Sequence, residues 1–216
     1  MKKNKKNIII CGGLIALAVV YTILVKYIDV QVIGPKESSV GFATINKFVF
    51  NLTGVNMIFY HITDWLGFIP LFIAFIYAMI GLFQMIKRRS LFKVDKEIIG
   101  LGIFYVGVIG LYIFFETYII NYRPILMDGT LEASYPSSHT LLSICICGSS
   151  LMINKILYNN KKIFKLENII SILSIFIIVI GRLISGVHWF TDIIGAVLIS
   201  IALLKILKIY FNSIRK

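Results

Sequence analysis

The sequence predicts an all-α integral membrane bundle of six transmembrane helices with both termini cytoplasmic, and three observations carry that prediction. The 216 residues are 58% hydrophobic and only 15% charged, with a mean hydropathy of +0.89, too apolar for a water-soluble domain of this length. Charges fall in short clusters separated by apolar stretches of roughly 20 residues, the helix length that crosses about 30 Å of hydrocarbon. Six crossings also place nearly all basic residues on one side, an arrangement that adding or removing one span would scramble.

The spans are expected near Ile8 to Tyr27, Phe68 to Ile86, Ile98 to Phe115, Leu141 to Tyr158, Ile169 to Gly181 with some extension, and Ile193 to Tyr210. Their continuous apolar runs lack the alternation of a lipid-facing strand, so helices are predicted and not a barrel. The first run follows Met1-Lys2-Lys3-Asn4-Lys5-Lys6 and is long, with no small-residue cleavage site, which makes it a retained span and not a signal peptide. A long outer segment follows, about residues 28 to 67, with Gly34-Pro35 as a turn and Val40 to Leu52 as an interfacial helix or lid. His61 and Asp64 near its end read as structural residues, a functional pair being the alternative. The fifth run must reach Arg182 or a little beyond to cross, which puts that arginine at a membrane boundary. Cys11, Cys145 and Cys147 lie inside apolar runs, and the close pair points to different helix faces, so packing is expected and not a disulfide or a metal site. There is no internal repeat or linker; the chain reads as a single domain over 1–216 with its motif-bearing core at about 98–210.

The net charge of +12 is of the sign that nucleic-acid binding needs, but the positions of the 22 Lys and Arg residues explain it better. All but Lys26, Lys36, Lys47, Arg123 and Arg182 fall at the N-terminus, in the second-to-third and fourth-to-fifth connections, or in the tail. Those are cytoplasmic segments by charge bias, and no nucleic-acid partner is expected. Chemistry is then sought in the outer segments, at about 28 to 67, 116 to 140 and 182 to 192.

Two of the three histidines, His139 and His188, lie in the second and third outer segments together with Arg123 and Arg182. An arginine at the outer boundary runs against the charge bias and is costly unless paired or liganded, so an anion is its expected partner. Tyr135-Pro136-Ser137-Ser138-His139-Thr140 leads into the fourth span; a helix N-terminus here offers backbone N–H groups and serine hydroxyls to an anion, simple helix capping being the alternative. His188 and Asp192 are four apart. If the sixth helix begins near His188, the carboxylate shares its face and can hold one imidazole nitrogen while the other is directed at a substrate. A capping aspartate beside an interfacial histidine is the competing reading.

Together these pieces resemble the type 2 phosphatidic acid phosphatase superfamily, with motifs Lys-x6-Arg-Pro, Pro-Ser-Gly-His and Ser-Arg-x5-His-x3-Asp, over Glu116 to Asp192. The first survives as Arg123-Pro124, the second as Pro136-Ser137-Ser138-His139, and the third as Arg182, His188 and Asp192 with spacing intact. The resemblance implies a metal-independent histidine-nucleophile phosphatase without a cofactor: His188 attacks phosphorus and forms a phosphohistidine, Asp192 orients it, and His139 protonates the leaving oxygen. Arg123, Arg182, Ser137 and the backbone N–H near Ser138 would hold the phosphoryl oxygens, whose transition-state charge needs preorganised donors.

Three positions depart from the pattern. Glu116 stands where the family has lysine; at about 4 Å an ionised carboxylate repels each unit of phosphate charge by roughly 1 to 4 kcal/mol, so direct contact with phosphate is not expected. Seven helical residues would separate it from Arg123 by about 10 Å along the axis. Glu116 is expected to brace an arginine, with Arg182 as one candidate, or to meet a positive group on substrate. Ser138 for Gly asks whether that backbone accepts a side chain, and Gly181 for Ser removes a hydroxyl.

The expected function is a cell-membrane lipid phosphatase, active on the extracytoplasmic face, for a phosphomonoester or pyrophosphate of a lipid: undecaprenyl pyrophosphate, phosphatidic acid or phosphatidylglycerol phosphate. The other class considered is a lipid-phosphate-binding protein or degenerate enzyme with little turnover, motivated by Glu116. A transporter is disfavoured, because the ionisable residues gather at one surface and not at the midplane.

Overall fold

The computed structural model describes residues 2–158 and 162–215; Met1 of the N-terminal segment quoted above, and Lys161 and Lys216, counted among the basic residues, lie outside the described residues. The helices are α1 (Lys2–Tyr27), α2 (Ala43–Thr53), α3 (Met57–Leu66), α4 (Phe68–Arg88), α5 (Lys96–Thr117), α6 (Ser138–Leu157), α7 (Lys162–Ile184) and α8 (Phe190–Ile214). A two-stranded hairpin, β1 (Gln31–Val32) with β2 (Ser39–Val40), precedes α2. Among the described residues, six candidate spans are long and apolar enough to cross a membrane, with α3 and α4 counted as one. An even number of crossings returns both termini to the same side.

The bundle is built for lipid outside and small polar groups inside. Ile9, Ile103 and Val106 are 73%, 69% and 72% exposed, while Ser143, Ser149, Ser150, Ser171 and Ser200 are fully buried between helices. Lipid is as apolar as leucine, so helices associate through close packing of small side chains and interhelical hydrogen bonds. Helix α6 is the centre: 56% of its apolar window is buried, against 17% for α1 and α7. That explains its polar start, since Ser138, His139 and Thr140 face protein and not lipid, and it begins three residues before the expected Leu141.

The outer segment after α1 is more ordered than its sequence suggests. The stretch read as an interfacial helix is α2, pinned to the start of α8 by Asn46, whose Nδ2 donates to Thr191 Oγ1 at 2.9 Å and whose Oδ1 accepts from Thr191 N at 3.1 Å. Residues 57–66, expected as outer connection, form α3 instead. Asn56 caps it, accepting from Ile58 N and Phe59 N at 3.1 and 3.2 Å. The break before α4 is only Gly67, itself in right-handed helical backbone. Together α3 and α4 cover 32 residues, about 48 Å at helical rise and longer than the hydrocarbon is thick, so one end projects beyond it.

At the basic end, α4, α6 and α7 are tied by one buried polar network. Asn154 donates to Glu167 and, at 2.8 Å, to Asn168 Oδ1, and accepts from the Tyr77 hydroxyl at 2.5 Å. Ser171 Oγ donates to Glu167 Oε1 at 3.0 Å. Replacing Asn154 by alanine strands groups from three helices, at about 1 to 3 kcal/mol for each group left unsatisfied. The expected result is a lower unfolding temperature in detergent, measured by circular dichroism, with the outer end of the bundle unchanged.

Candidate active site

The site lies at the end of the bundle opposite that network, where α5, α7 and the α3 end of the α3–α4 unit finish and α6 and α8 begin. The segment between α5 and α6 crosses it, fastened by an isolated bridge between Tyr122 and Ala133 and by Tyr135, which is buried with its hydroxyl 2.7 Å from Thr22 Oγ1. The Tyr135–Pro136 peptide is cis.

His188 sits in the short turn between α7 and α8 and is 4% exposed. Its Nδ1 lies 3.1 Å from the Ser134 carbonyl oxygen, which can only accept, so Nδ1 carries the hydrogen. Nε2 is then the atom with the free lone pair, and it faces Arg123 NH1 at 3.3 Å. Burial, and after it the charges of Arg123 and Arg182 and the His139 ring, hold the His188 pKa well below the ordinary histidine value.

Asp192 supports this histidine less directly than the four-residue spacing suggests. Helix α8 starts at Phe190, so Asp192 is in its first turn and caps it, accepting from Trp189 N at 2.8 Å. Its Oδ2 stands 3.9 Å from His188 Nδ1. Ser134 closes that gap: its hydroxyl donates to Asp192 Oδ2 at 2.5 Å and lies 3.1 Å from His188 Nδ1. Asp192 thus caps α8 and reaches His188 through Ser134, a residue that no local pattern announced. Ser134→Ala is expected to lower kcat by about 10- to 100-fold, the worth of one hydrogen bond to a charged group, with KM unchanged because Ser134 contacts the histidine from behind; steady-state phosphate release checks both.

Ser137 and Ser138 open α6 without a side-chain cap: Ser137 Oγ is fully buried and makes no hydrogen bond. Ser138 is helical, so this backbone does accept a side chain in place of the family glycine. Arg182 is buried in the last turn of α7, with NH2 3.0 Å from Asp64 Oδ1 and its guanidinium carbon 4.9 Å from the Tyr60 ring centre. Its Nε is without a partner, as is His139 Nδ1. Buried polar groups are nearly always satisfied, so the unpaired Ser137 Oγ and Arg182 Nε are donors that an oxyanion could satisfy, and the unpaired His139 Nδ1 lies beside them.

Both arginines have an acidic neighbour. Arg182 pairs with Asp64, not with Glu116. Arg123 Nε is 3.0 Å from Glu132 Oε2, close enough for an ion pair though misaligned for a hydrogen bond. Glu116, exposed in the last turn of α5, shares the electrostatic surroundings of Arg123 and Glu132 and neighbours Tyr112. Asp64 also approaches His139 Nε2 at 3.2 Å. His61 turns away from Asp64 and packs edge-on against Tyr60, ring centres 5.2 Å apart. A cavity of about 320 Å³ opens beside Asp64, Ser138 and His139 and runs between Phe68 and Leu71 of α4, Tyr112 of α5 and Leu142 of α6.

A model of the PAP2 superfamily matches residues 98–216. A search of curated proteins finds no match. Among solved structures, the chain is similar to a transmembrane PAP2-type phosphatidylglycerolphosphate phosphatase from Bacillus subtilis, with a TM-score of 0.66 and 15% sequence identity over 94% of this chain and 96% of that one. At that identity the likeness is one of fold, and it extends to α1–α4, ahead of the residues that the family model covers.

Proposed function

Because the chain belongs to the PAP2 superfamily, we propose that it is a multi-pass membrane lipid phosphatase that works through a phosphohistidine on His188. The observation that carries the reading is the fixed tautomer of His188: the Ser134 carbonyl takes the hydrogen of Nδ1, and the lone pair of Nε2 faces Arg123. In the proposed reaction Nε2 attacks phosphorus while Arg123, Arg182, Ser137 and the first backbone N–H groups of α6, including that of Ser138, hold the phosphoryl oxygens. The bond to the leaving oxygen breaks, and His139 gives that oxygen a proton. Water then attacks the phosphohistidine and His139 takes its proton, releasing phosphate and restoring Nε2.

The substrate is proposed to be a phosphomonoester or pyrophosphate of a lipid. The cavity beside His139 is lined by Phe68, Leu71 and Leu142, so a chain can lie in it while the headgroup reaches the arginines. The catalytic end is assigned to the extracytoplasmic face, because Lys5, Lys6, Lys87, Arg88, Arg89, Lys155, Lys162, Lys205 and Lys208 lie at the opposite end of the helices. Phosphate release from undecaprenyl pyrophosphate, phosphatidic acid and phosphatidylglycerol phosphate, with EDTA present, tests the reading and ranks the lipids. No release from any of them, together with tight binding of one, would favour a lipid-phosphate binder, the reading that Glu116 in the family's lysine position supports.

A further inference from the structure

The α3–α4 elbow grips His139. Asp64 Oδ1 lies 3.2 Å from His139 Nε2 while holding Arg182 NH2 at 3.0 Å, so one carboxylate oxygen joins two residues of the site. The imidazole also lies against Gly67: a Cβ on that glycine would stand 2.8 Å from His139 Cδ2 and 3.1 Å from Nε2, inside contact distance. What brings α3 so close is Gly181, since the space a Cβ would take there is filled by the methyl group of Thr63. Thr63 packs at Gly181 and Asp64 pairs with Arg182, so the two contacts share one register between α3 and α7. The absence of a side chain at 181, a departure from the family's serine, is the condition for this docking. None of Thr63, Asp64 and Gly67 lies within the residues the family model matches, 98–216.

We infer that Asp64 is a positioning residue for the leaving-group proton: its carboxylate fixes the His139 ring and stabilises the protonated imidazole that gives its proton to the leaving oxygen, while aiming Arg182 at the phosphoryl group. The inference rests on the phosphatase reading above. Charge and geometry favour it over a purely structural role. A salt bridge that served only to hold α3 on α7 needs Arg182 alone, whereas here the same oxygen also faces the one titratable group placed to act as acid. Around the ring stand Asp64 from α3, with Oδ1 3.2 Å from Nε2, Arg182 from α7 and Arg123 from the α5–α6 segment, and of these only the Asp64 carboxylate can pair with a charged imidazole. As the P–O bond breaks, its electron pair goes to the leaving oxygen; an alkoxide needs the proton at that moment, and a nitrophenolate does not.

The test compares kcat/KM, which reports the bond-breaking step, for dioctanoyl phosphatidic acid and for p-nitrophenyl phosphate in the unsubstituted protein, Asp64→Asn and Asp64→Glu. Asp64→Asn is expected to lose about 10²-fold on the alkyl phosphate and only about tenfold on the aryl phosphate, where the loss reflects Arg182 alone. Asp64→Glu is expected to recover most of the alkyl activity. Equal losses on the two esters, or no loss on either, overturns the role in proton delivery; the residual aryl activity shows that the variant is folded. If the unsubstituted protein hydrolyses neither these esters nor undecaprenyl pyrophosphate or phosphatidylglycerol phosphate, the phosphatase reading itself falls, an outcome distinct from an active protein whose Asp64 variants do not discriminate.

Discussion

His188→Ala is expected to lower phosphate release by at least about 10⁴-fold, the largest effect of any single substitution, because it removes the atom proposed to take the phosphoryl group. Other groups that bind phosphate remain, so KM or the affinity for inorganic phosphate should change little. The companion measurement is trapping: unsubstituted protein mixed with lipid labelled in its phosphate and quenched in alkali should retain label in an acid-labile, base-stable linkage, and the alanine variant should retain none. The pH dependence follows from burial. His188 is 4% exposed and is surrounded by Arg123 and Arg182, which hold its pKa well below that of an ordinary histidine. A depressed pKa means that the lone pair of Nε2 survives as pH falls through the usual histidine range. The acid limb of kcat/KM, corrected for ionisation of the substrate, is therefore expected below pH 6.5 in the free enzyme. A limb at or above that value that moved on conservative change of Arg123 would assign His188 a charge the structure denies it.

The fold was legible because a bilayer imposes one rule on every span, an apolar helix of fixed length, and because basic residues mark one side. What escaped was whatever did not touch lipid. The start of α6 was placed at Leu141 because Ser138, His139 and Thr140 look like loop residues, yet Thr140 is buried and Ser138 and His139 are half-buried against neighbouring helices and the cavity. Helix α3 escaped for a related reason: Asp64 and Gly67 are punctuation in a sequence, whereas here both are contacts with His139. The motif residues Arg123, Ser137, His139, Arg182, His188 and Asp192 were legible from spacing, and the chain does bring them to one end. Their partners were not, because contacts between Arg182 and Asp64, 118 residues apart, or Ser134 and His188, 54 apart, leave no local pattern. The direct pairing of Asp192 with His188 was the natural inference from an i, i+4 spacing, and it gave way to a Ser134 bridge because α8 begins two residues later than His188.

Arg182→Ala is expected to cost about 10³-fold in kcat/KM, at the upper end of what one lost transition-state donor costs. Two effects add. A guanidinium that can offer two parallel donors to phosphoryl oxygens disappears, and the carboxylate it neutralised remains: Asp64 keeps its contact with the His139 ring at 3.2 Å but loses its permanent counter-charge, and at about 4 Å it repels each unit of phosphate charge by roughly 1 to 4 kcal/mol. Arg182→Lys keeps the charge but not the planar fork, and a lysine ammonium cannot pair with Asp64 and present a second donor to phosphate in the same geometry, so an intermediate loss is expected. The double substitution Arg182→Ala with Asp64→Asn separates the two effects. On p-nitrophenyl phosphate, whose leaving group does not need the His139 proton, removing a carboxylate that is harmful once Arg182 is gone restores part of the activity, and the double variant is more active than Arg182→Ala alone, a coupling that a double-mutant cycle on kcat/KM measures directly. Strict additivity of the two losses would mean that the 3.0 Å contact carries no energy in the reaction. The phosphate-binding arginine would then be held in place by burial under Tyr60 and not by its ion pair.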